Sequence, residues 1–409
     1  MPMEGYVYAI ATMDTKCDEL LYLVRCLAAA GVAVRTIDVS AAESRDFGAD
    51  VSPTDLMGQE WDPRHVDRGE AIASLSHALA SFLEREAADN RLQGVIGIGG
   101  SGGTALITHA MRRLRIGLPK LMVSTVASGN TLPYVDCSDI LMMPSVIDIA
   151  GVNAVSRTVL GNAAHAMAGM VTHRMEESAK RPTLGMTMFG VTTPCVTRVR
   201  QHFEQQGYDC LVFHATGTGG RAMESLVQSQ MIEGVLDITT TEVADEVVGG
   251  IFPAGEKRFD VLIEQGVPLV ISVGALDMVN FGGLDSVPPE FRQRNLHVHN
   301  THVTLMRTTP EECVLIAQWM ARKLNRARAP FALVIPEKGI SALDAPGQPF
   351  HDPNADAVLF AELERQIEPA DSRRILRSPT HINDVKFSQF VIEQYENLVA
   401  DSGSSPSTT

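Results

Sequence analysis

The sequence is short of aromatic residues, paired cysteines, long apolar runs and positive charge. Each shortage excludes a class of protein. Phe, Tyr and Trp together make up 5% of the chain, too little ring surface for a platform that stacks single-stranded nucleic acid. Lys and Arg number 34 against 49 Asp and Glu, a formal net charge of -15, so a nucleic acid backbone is repelled. The six cysteines, at 17, 26, 137, 195, 210 and 313, include no CxxC spacing, which argues against a zinc ribbon and against a disulfide framework. No run of about 18 uncharged apolar residues occurs, and the first residues carry no basic leader followed by an apolar stretch. The expectation is a chain in a reducing cytoplasm, with no membrane and no nucleic acid among its partners.

What is there reads as two α/β domains. The chain has 409 residues, 45% apolar and 20% charged. That is enough for two domains of roughly 200 residues, each able to bury a core. Apolar runs at Tyr6–Thr12, Val32–Val39, Gly94–Ile98, Lys120–Val126 and Ile140–Val146 alternate with helical patterns at Asp18–Ala30, Glu70–Glu86, Thr104–Leu114 and Gly151–Glu177. Strands apolar on both faces, set between amphipathic helices, predict a mainly parallel sheet with helices on both sides. Residues 40–68 break the alternation with Asp, Ser, Pro and Gly, and predict a long surface excursion. Lys180-Arg181-Pro182 precedes a fresh strand, which divides an N-terminal subdomain, 1–180, from a C-terminal one, 181–400, with a flexible tail at 401–409.

The second half repeats the rhythm. Its strands are expected at Thr183–Phe189, Cys210–Ala215, Gly234–Thr239, Pro268–Val273 and Phe331–Ile335, and its helices at Thr197–Gln206, Arg221–Gln230, Pro310–Arg326, Asp356–Gln366 and Asp384–Leu398. A faint internal repeat accompanies the rhythm. Ser101-Gly102-Gly103-Thr104-Ala105-Leu106 and Thr218-Gly219-Gly220-Arg221-Ala222-Met223 share a hydroxyl, two glycines, an alanine and a long apolar residue, and both follow a strand. A duplicated fold would give two such turns.

The sharpest motif runs from Gly97 to Thr104. Glycine lets a backbone approach a ligand closely, and the N–H groups that open the next helix suit a phosphate or carboxylate. Gly99, Gly100, Gly102 and Gly103 would form the cradle, with Ser101 and Thr104 adding hydroxyls; the plainer reading is a tight turn that needs glycine for packing. Gly97, Gly99 and Gly102 match G-x-G-x-x-G, but Met122 stands about 20 residues from the motif's end, where a dinucleotide fold places its ribose acid. Asp14, Thr15 and Lys16 end the first strand. They would hold a phosphate and its cation, Lys16 supplying the charge that the glycine loop lacks, or Asp14 or Thr15 caps the helix. Asp38 ends the second strand, where ribose hydroxyls are often held. Ser124, Thr125, Ser128 and Gly129 offer a hydroxyl-rich ligand wall, and Asp148 is either a metal ligand or a cap.

In the second half, Glu242 and Asp245 share a helix face as a base or metal pair, or as ordinary partners of the helix dipole. Asp277 and Asn280 sit at a strand mouth. His297 and His299 share a strand face that His302 leaves; no third metal ligand is fixed by spacing, so a metal stays open. His299 is a candidate acid–base group and Arg307 a candidate anion binder. The helix over Gly151–Met170 is rich in Ala, Met and Val, and its apolar face packs either on its own sheet or between subunits.

Thr12-Met13-Asp14-Thr15-Lys16, Gly97 to Thr104, Thr239–Asp245, Asp277–Gly282 and His299–Thr309, in this order, resemble the Tm-one-like ATP-binding domain family, named for a plant tobamovirus-resistance protein. The resemblance covers roughly residues 4–398. It implies two Rossmann-like subdomains, ATP bound in the first, and a homodimer; it carries no assigned reaction. Cys17 stands where relatives are expected to have glycine. The leading expectation is an ATP-binding protein, its nucleotide accompanied by magnesium. An unidentified small-molecule substrate would lie with it in a cleft between the subdomains, and Glu242, Asp277, His299 and Arg307 would supply the chemistry. The alternatives are a non-catalytic ATP-dependent regulatory module, a nicotinamide-dependent oxidoreductase, and metal-assisted hydrolysis or carbon–carbon cleavage by the second-half cluster.

Overall fold

The computed structural model describes residues 5–41, 48–58, 67–173 and 181–403. Much of the excursion expected over 40–68, the boundary residue Lys180 and the tail from 404 lie outside the described residues. The chain divides into two compact units, Met1–Ser178 and Ala179–Thr409.

The first unit runs β1 (Tyr6–Ala11), α1 (Met13–Ala29), β2 (Val34–Asp38), α2 (Pro53–Met57), α3 (Arg68–Ala88), β3 (Leu92–Gly99), α4 (Ser101–Met111), β4 (Lys120–Ser124), α5 (Leu132–Val135), β5 (Leu141–Pro144) and α6 (Ala154–Thr172). Its strands are all parallel, in the order β2-β1-β3-β4-β5. All eight residues of β3 are buried, as a strand covered on both faces must be. Leu20, Leu23 and Leu27 of α1 pack with Leu160, Ala163 and Met167 of α6 over one face. Leu75, Leu79 and Leu83 of α3 pack with Leu106, Ile107 and Met111 of α4 over the other. Leu160, Ala163, Ala164 and Met167 of α6 are therefore buried inside their own unit, while Val155 stays exposed.

The second unit runs β6 (Thr183–Met188), α7 (Thr193–Gln205), β7 (Asp209–His214), α8 (Gly219–Gln228), β8 (Gly234–Thr239), α9 (Thr241–Val248), α10 (Asp260–Gln265), β9 (Leu269–Gly274), β10 (Met278–Phe281), β11 (Leu296–Asn300), β12 (Val303–Arg307), α11 (Pro310–Leu324), β13 (Phe331–Pro336), α12 (Pro353–Gln366), β14 (Arg373–Ser378) and α13 (Val385–Gly403). Its main sheet is again all parallel, in the order β14-β13-β9-β8-β6-β7. Both units are Rossmann-like. Counted by appearance, each places its second strand outside the first and its third on the other side, so each has a switch point, at β1/β3 and at β6/β8.

Two features escape the sequence pattern. Strand β14 carries Arg373, Arg374 and Arg377, which pair with acids along an exposed sheet edge, so it lacks an apolar signature. Strands β10, β12 and β11 form a separate antiparallel sheet where only a strand-end loop and one histidine-bearing strand are expected. The internal repeat also dissolves. Its first copy follows the third strand of its unit and its second copy follows the second, so the two turns are not equivalent positions. Among the described residues, no helix is long and apolar enough to cross a membrane.

Candidate functional site

The β1/β3 switch point brings together two of the sequence motifs. Asp14, Thr15 and Lys16 form the first turn of α1, and Gly100 to Gly103 open α4. The glycines divide into two groups. A Cβ on Gly97 would lie 2.6 Å from Met122 Sδ and 2.7 Å from Ile107 Cγ2, and one on Gly99 would lie 2.8 Å from the Thr104 nitrogen. These two are glycine so that α4 can lie against β3. At Gly100 and Gly103 a Cβ would meet nothing nearer than 3.8 Å, and at Gly102 nothing within 4 Å. None of the three has a positive φ. Neither packing nor backbone conformation asks for glycine there, yet glycine inside a helix costs up to about 1 kcal/mol. What it leaves is uncovered backbone N–H at the positive end of an 11-residue helix.

A cavity of about 630 Å³ lies at the ends of the neighbouring strands, between Thr125 and Ser128 after β4 and Pro144 to Asp148 after β5. Val146 on its wall has φ 69° and is 76% exposed. A β-branched residue held left-handed and left in solvent is strained, and such strain gathers at ligand sites. Lys16 departs from helical conformation, at φ -134° and ψ 28°, and its Nζ donates to the Ile149 carbonyl at 3.3 Å. Glu19 accepts the Gly151 N–H at 2.5 Å. The start of α1 is thereby tied to the loop that walls the cavity.

Not every expected ligand group faces outward. Asp38 is 4% exposed, and one of its oxygens accepts the Met13 N–H at 3.0 Å, the Ser40 N–H at 2.9 Å and the Ser40 hydroxyl at 2.5 Å. Because β2 lies beside β1, that carboxylate closes the β1–α1 turn and is not presented to a ribose. Thr104 and Ser124 are both buried, and their hydroxyls bond each other at 2.6 Å. Asp14, Thr15, Ser101, Gly102, Ser128 and Gly129 are exposed, and Thr125 is half-buried. Asp148 accepts the Ile149 N–H at 2.8 Å, a local turn bond.

The four second-unit candidates do not converge. Glu242 is 1% exposed; its Oε1 accepts the N–H groups of Gly217 and Gly220, and its Oε2 accepts Arg258 Nε at 3.2 Å. It belongs to a buried network in which Arg258 also donates to Glu224 and Asp237, each at 2.6 Å. Glu242 is a brace for the turn before α8, not a free base. Arg258 is missed by sequence reasoning, but a signal exists: Asp237 interrupts the apolar strand β8, and a carboxylate there requires a cation. Asp245 accepts Asn280 and Phe252 N–H groups, and burial pushes its carboxyl up to about 7.

Arg307 and Asp277 lie together in a second buried cluster. Arg307 donates to Phe350 O at 2.7 Å, Thr308 Oγ1 at 2.9 Å, Asp352 O at 3.3 Å and Asp356 Oδ1 at 2.7 Å, so its guanidinium is not offered to a ligand anion. Asp277 is fully buried and accepts the Ser341 hydroxyl at 2.7 Å, and its Oδ1 has no hydrogen-bond partner. Burial pushes Asp277 up to about 7, with Arg307 opposing and Asp344 adding. Burial, reinforced by Asp344, pushes Asp356 up to about 8. His299 stands apart, exposed on β11, where it lines a second cavity with Phe189, His214 and Phe252. The His297 ring lies edge-on to Phe350, and the His302 N–H donates to the Asn300 side chain. Among the described residues, no three His, Cys, Asp or Glu side chains are grouped to hold a metal.

Two doubly wound units of one strand order, the first with a bare glycine helix start beside a strand-end cavity, define a two-unit Rossmann-like α/β protein. The chain belongs to the uncharacterised protein family UPF0261, whose N-terminal domain matches residues 5–176 and whose C-terminal domain matches residues 181–399. A UPF0261 protein of Rhizobium meliloti is 50% identical over 396 residues, which cover 96% of this chain and 98% of that one. A UPF0261 protein of Clostridium tetani is 41% identical over 97% of this chain and all of its own length. The ToMV resistance protein Tm-1(GCR237) of Solanum lycopersicum is 47% identical over 95% of this chain, which spans 55% of the tomato protein.

Proposed function

We propose that the first unit binds ATP, with its phosphates at the start of α4. The observation that carries this reading is the trio Gly100, Gly102 and Gly103, which neither packing nor φ requires and which leaves helix N–H groups bare. The 630 Å³ cavity after β4 and β5 is in the range that nucleotide-sized ligands need. Asp14 is the exposed carboxylate at the switch point, and it fits magnesium that arrives on the phosphates, an ion usually held by one or two carboxylates. Thr15 and Ser101 add hydroxyls, and Thr125, Ser128 and Gly129 border the sugar and base.

The test is titration calorimetry of ATP with magnesium against Gly102→Val. A valine at Gly102 meets no neighbour, so the melting temperature is expected to stay near wild type while ATP affinity falls at least about tenfold. Unchanged affinity in the folded variant sinks the reading. Tighter binding of NAD than of ATP would replace it with a dinucleotide site.

A further inference from the structure

We infer that the site proposed above is built for a ribonucleotide, and that Asp148, on the loop after β5, accepts the 2′- and 3′-hydroxyls of its ribose; this role rests on the nucleotide reading. The start of α4 and the 630 Å³ cavity adjoin each other: Thr125, on the cavity wall, has its Oγ1 3.8 Å from where a Cβ on Gly100 would stand. A ligand with its phosphates at α4 therefore enters the cavity from the β3 side. Strand β5 lies two places further along the sheet. Neighbouring strands are about 4.8 Å apart, so the loop after β5 stands roughly 10 Å from the phosphate end. That span suits the reach of a nucleotide from its outer phosphates to its ribose.

Asp148 is the one ionisable side chain in the cavity lining. It is exposed, and its Oδ1 accepts the Ile149 N–H at 2.8 Å. Among the described residues its other oxygen accepts no hydrogen bond. The backbone that carries it is held from behind, because Ile149 is buried and its carbonyl accepts Lys16 Nζ at 3.3 Å. The remaining hydroxyls of this wall divide. Ser145 is buried and its hydroxyl donates to the Ile147 carbonyl at 2.5 Å. Thr125 and Ser128 make no side-chain hydrogen bond among the described residues.

An ionised carboxylate accepts hydrogen bonds and cannot donate them. Beside a polyanion it only repels, unless it faces donors or a cation. A nucleotide with magnesium offers three such partners: the ion on the phosphates, an amino group of the base, and the ribose hydroxyls. The ion stays at the phosphate end, where Asp14 is the exposed carboxylate. Pro144, Val146 and Ile147 make the rest of this wall apolar, which suits the face of a base rather than its amino edge. The two neighbouring hydroxyls of a ribose match the paired oxygens of a carboxylate. Asp38, at the strand end where a ribose is often held, is closed off by the Met13 N–H and the Ser40 hydroxyl, so the ribose must find its acceptor elsewhere.

Titration calorimetry of the full chain with ATP, 2′,3′-dideoxy-ATP and tripolyphosphate, each with magnesium, tests this. ATP is expected to bind at least about tenfold more tightly than dideoxy-ATP, as hydrogen bonds to a charged acceptor warrant. Asp148→Ala should bring ATP down to the dideoxy level and leave dideoxy-ATP and tripolyphosphate unmoved. Asp148→Asn keeps an oxygen for the Ile149 N–H and should narrow the same ratio, which guards against a turn that loosens in the alanine variant. Equal wild-type affinity for ATP and dideoxy-ATP overturns the inference and leaves the nucleotide reading standing. So does a ratio unchanged in both variants. A loss in Asp148→Ala that dideoxy-ATP shares assigns the carboxylate to the base, and one that tripolyphosphate shares assigns it to the ion; either overturns the ribose role. No ATP binding at millimolar concentration overturns both this role and the reading beneath it.

Discussion

Ser101-Gly102-Gly103 and Thr218-Gly219-Gly220 spell almost the same turn and do opposite things. At Gly219 a Cβ would lie 1.9 Å from the His214 carbonyl oxygen, and at Gly220 it would lie 2.2 Å from Arg258 Nε and 2.3 Å from Glu242 Oε2. Those glycines exist so that a buried guanidinium and its three acids can close beneath α8. At Gly102 a Cβ meets nothing. The lesson is that a glycine pair becomes evidence for a ligand only once packing has been ruled out as its reason. The same accounting sorts the carboxylates: Glu242 and Asp38 are consumed by backbone N–H groups, and Asp14 is not.

The comparison breaks most visibly at Arg258. Replacing it by leucine strands Glu224, Asp237 and Glu242 without their cation, and loss of one partner of a buried ion network costs about 3–5 kcal/mol. Arg258→Leu is therefore expected to unfold the second unit in calorimetric melting. A transition within a degree or two of wild type would show that the network contributes nothing. Gly220→Val should come close behind, because its side chain must displace the same guanidinium. Gly102→Val is expected to shift stability by no more than about 0.5 kcal/mol. A large loss there would erase the distinction between the two turns.

A smaller effect separates the buried acid clusters by pH. Asp277 and Asp356 are pushed up to about 7 and about 8, so in the folded state they hold protons that the unfolded chain has already released. Their contribution is fully present below the ordinary carboxylate range and is lost as pH rises toward 7 and 8. The groups that face them are Arg307, Asp344 and Ser341. Denaturant unfolding of the wild type should show stability falling between pH 5 and pH 8, and Asp277→Asn should flatten part of that slope; a slope of opposite sign would reverse the reading. The last test leaves stability untouched. The homodimer that the family resemblance implies should give a dimer mass by light scattering, and a monomer at micromolar concentration would remove it.

Much of the fold was legible because apolar period and length are local. The main-sheet strands other than β14 announce themselves as short apolar runs between amphipathic helices. The glycine loop and Asp14-Thr15-Lys16 were legible as candidates because each stands at a strand end, but whether packing or capping accounts for them was not legible. Strand β14 and the β10–β12–β11 sheet were not, since an edge strand stabilised by arginine–acid pairs and a small antiparallel sheet both lack that pattern. Arg258, the strained Val146 and the cavity beside His299 are assembled from segments distant in the chain, and no spacing encodes them. By itself the sequence determined the two α/β units, because burial on both faces of a strand leaves its mark on every residue. Only the tertiary structure decided which polar groups remain available for a ligand. That availability depends on whether a partner from elsewhere in the chain has already claimed the hydrogen bond, as Asp38, Thr104, Ser124, Glu242 and Arg307 each show.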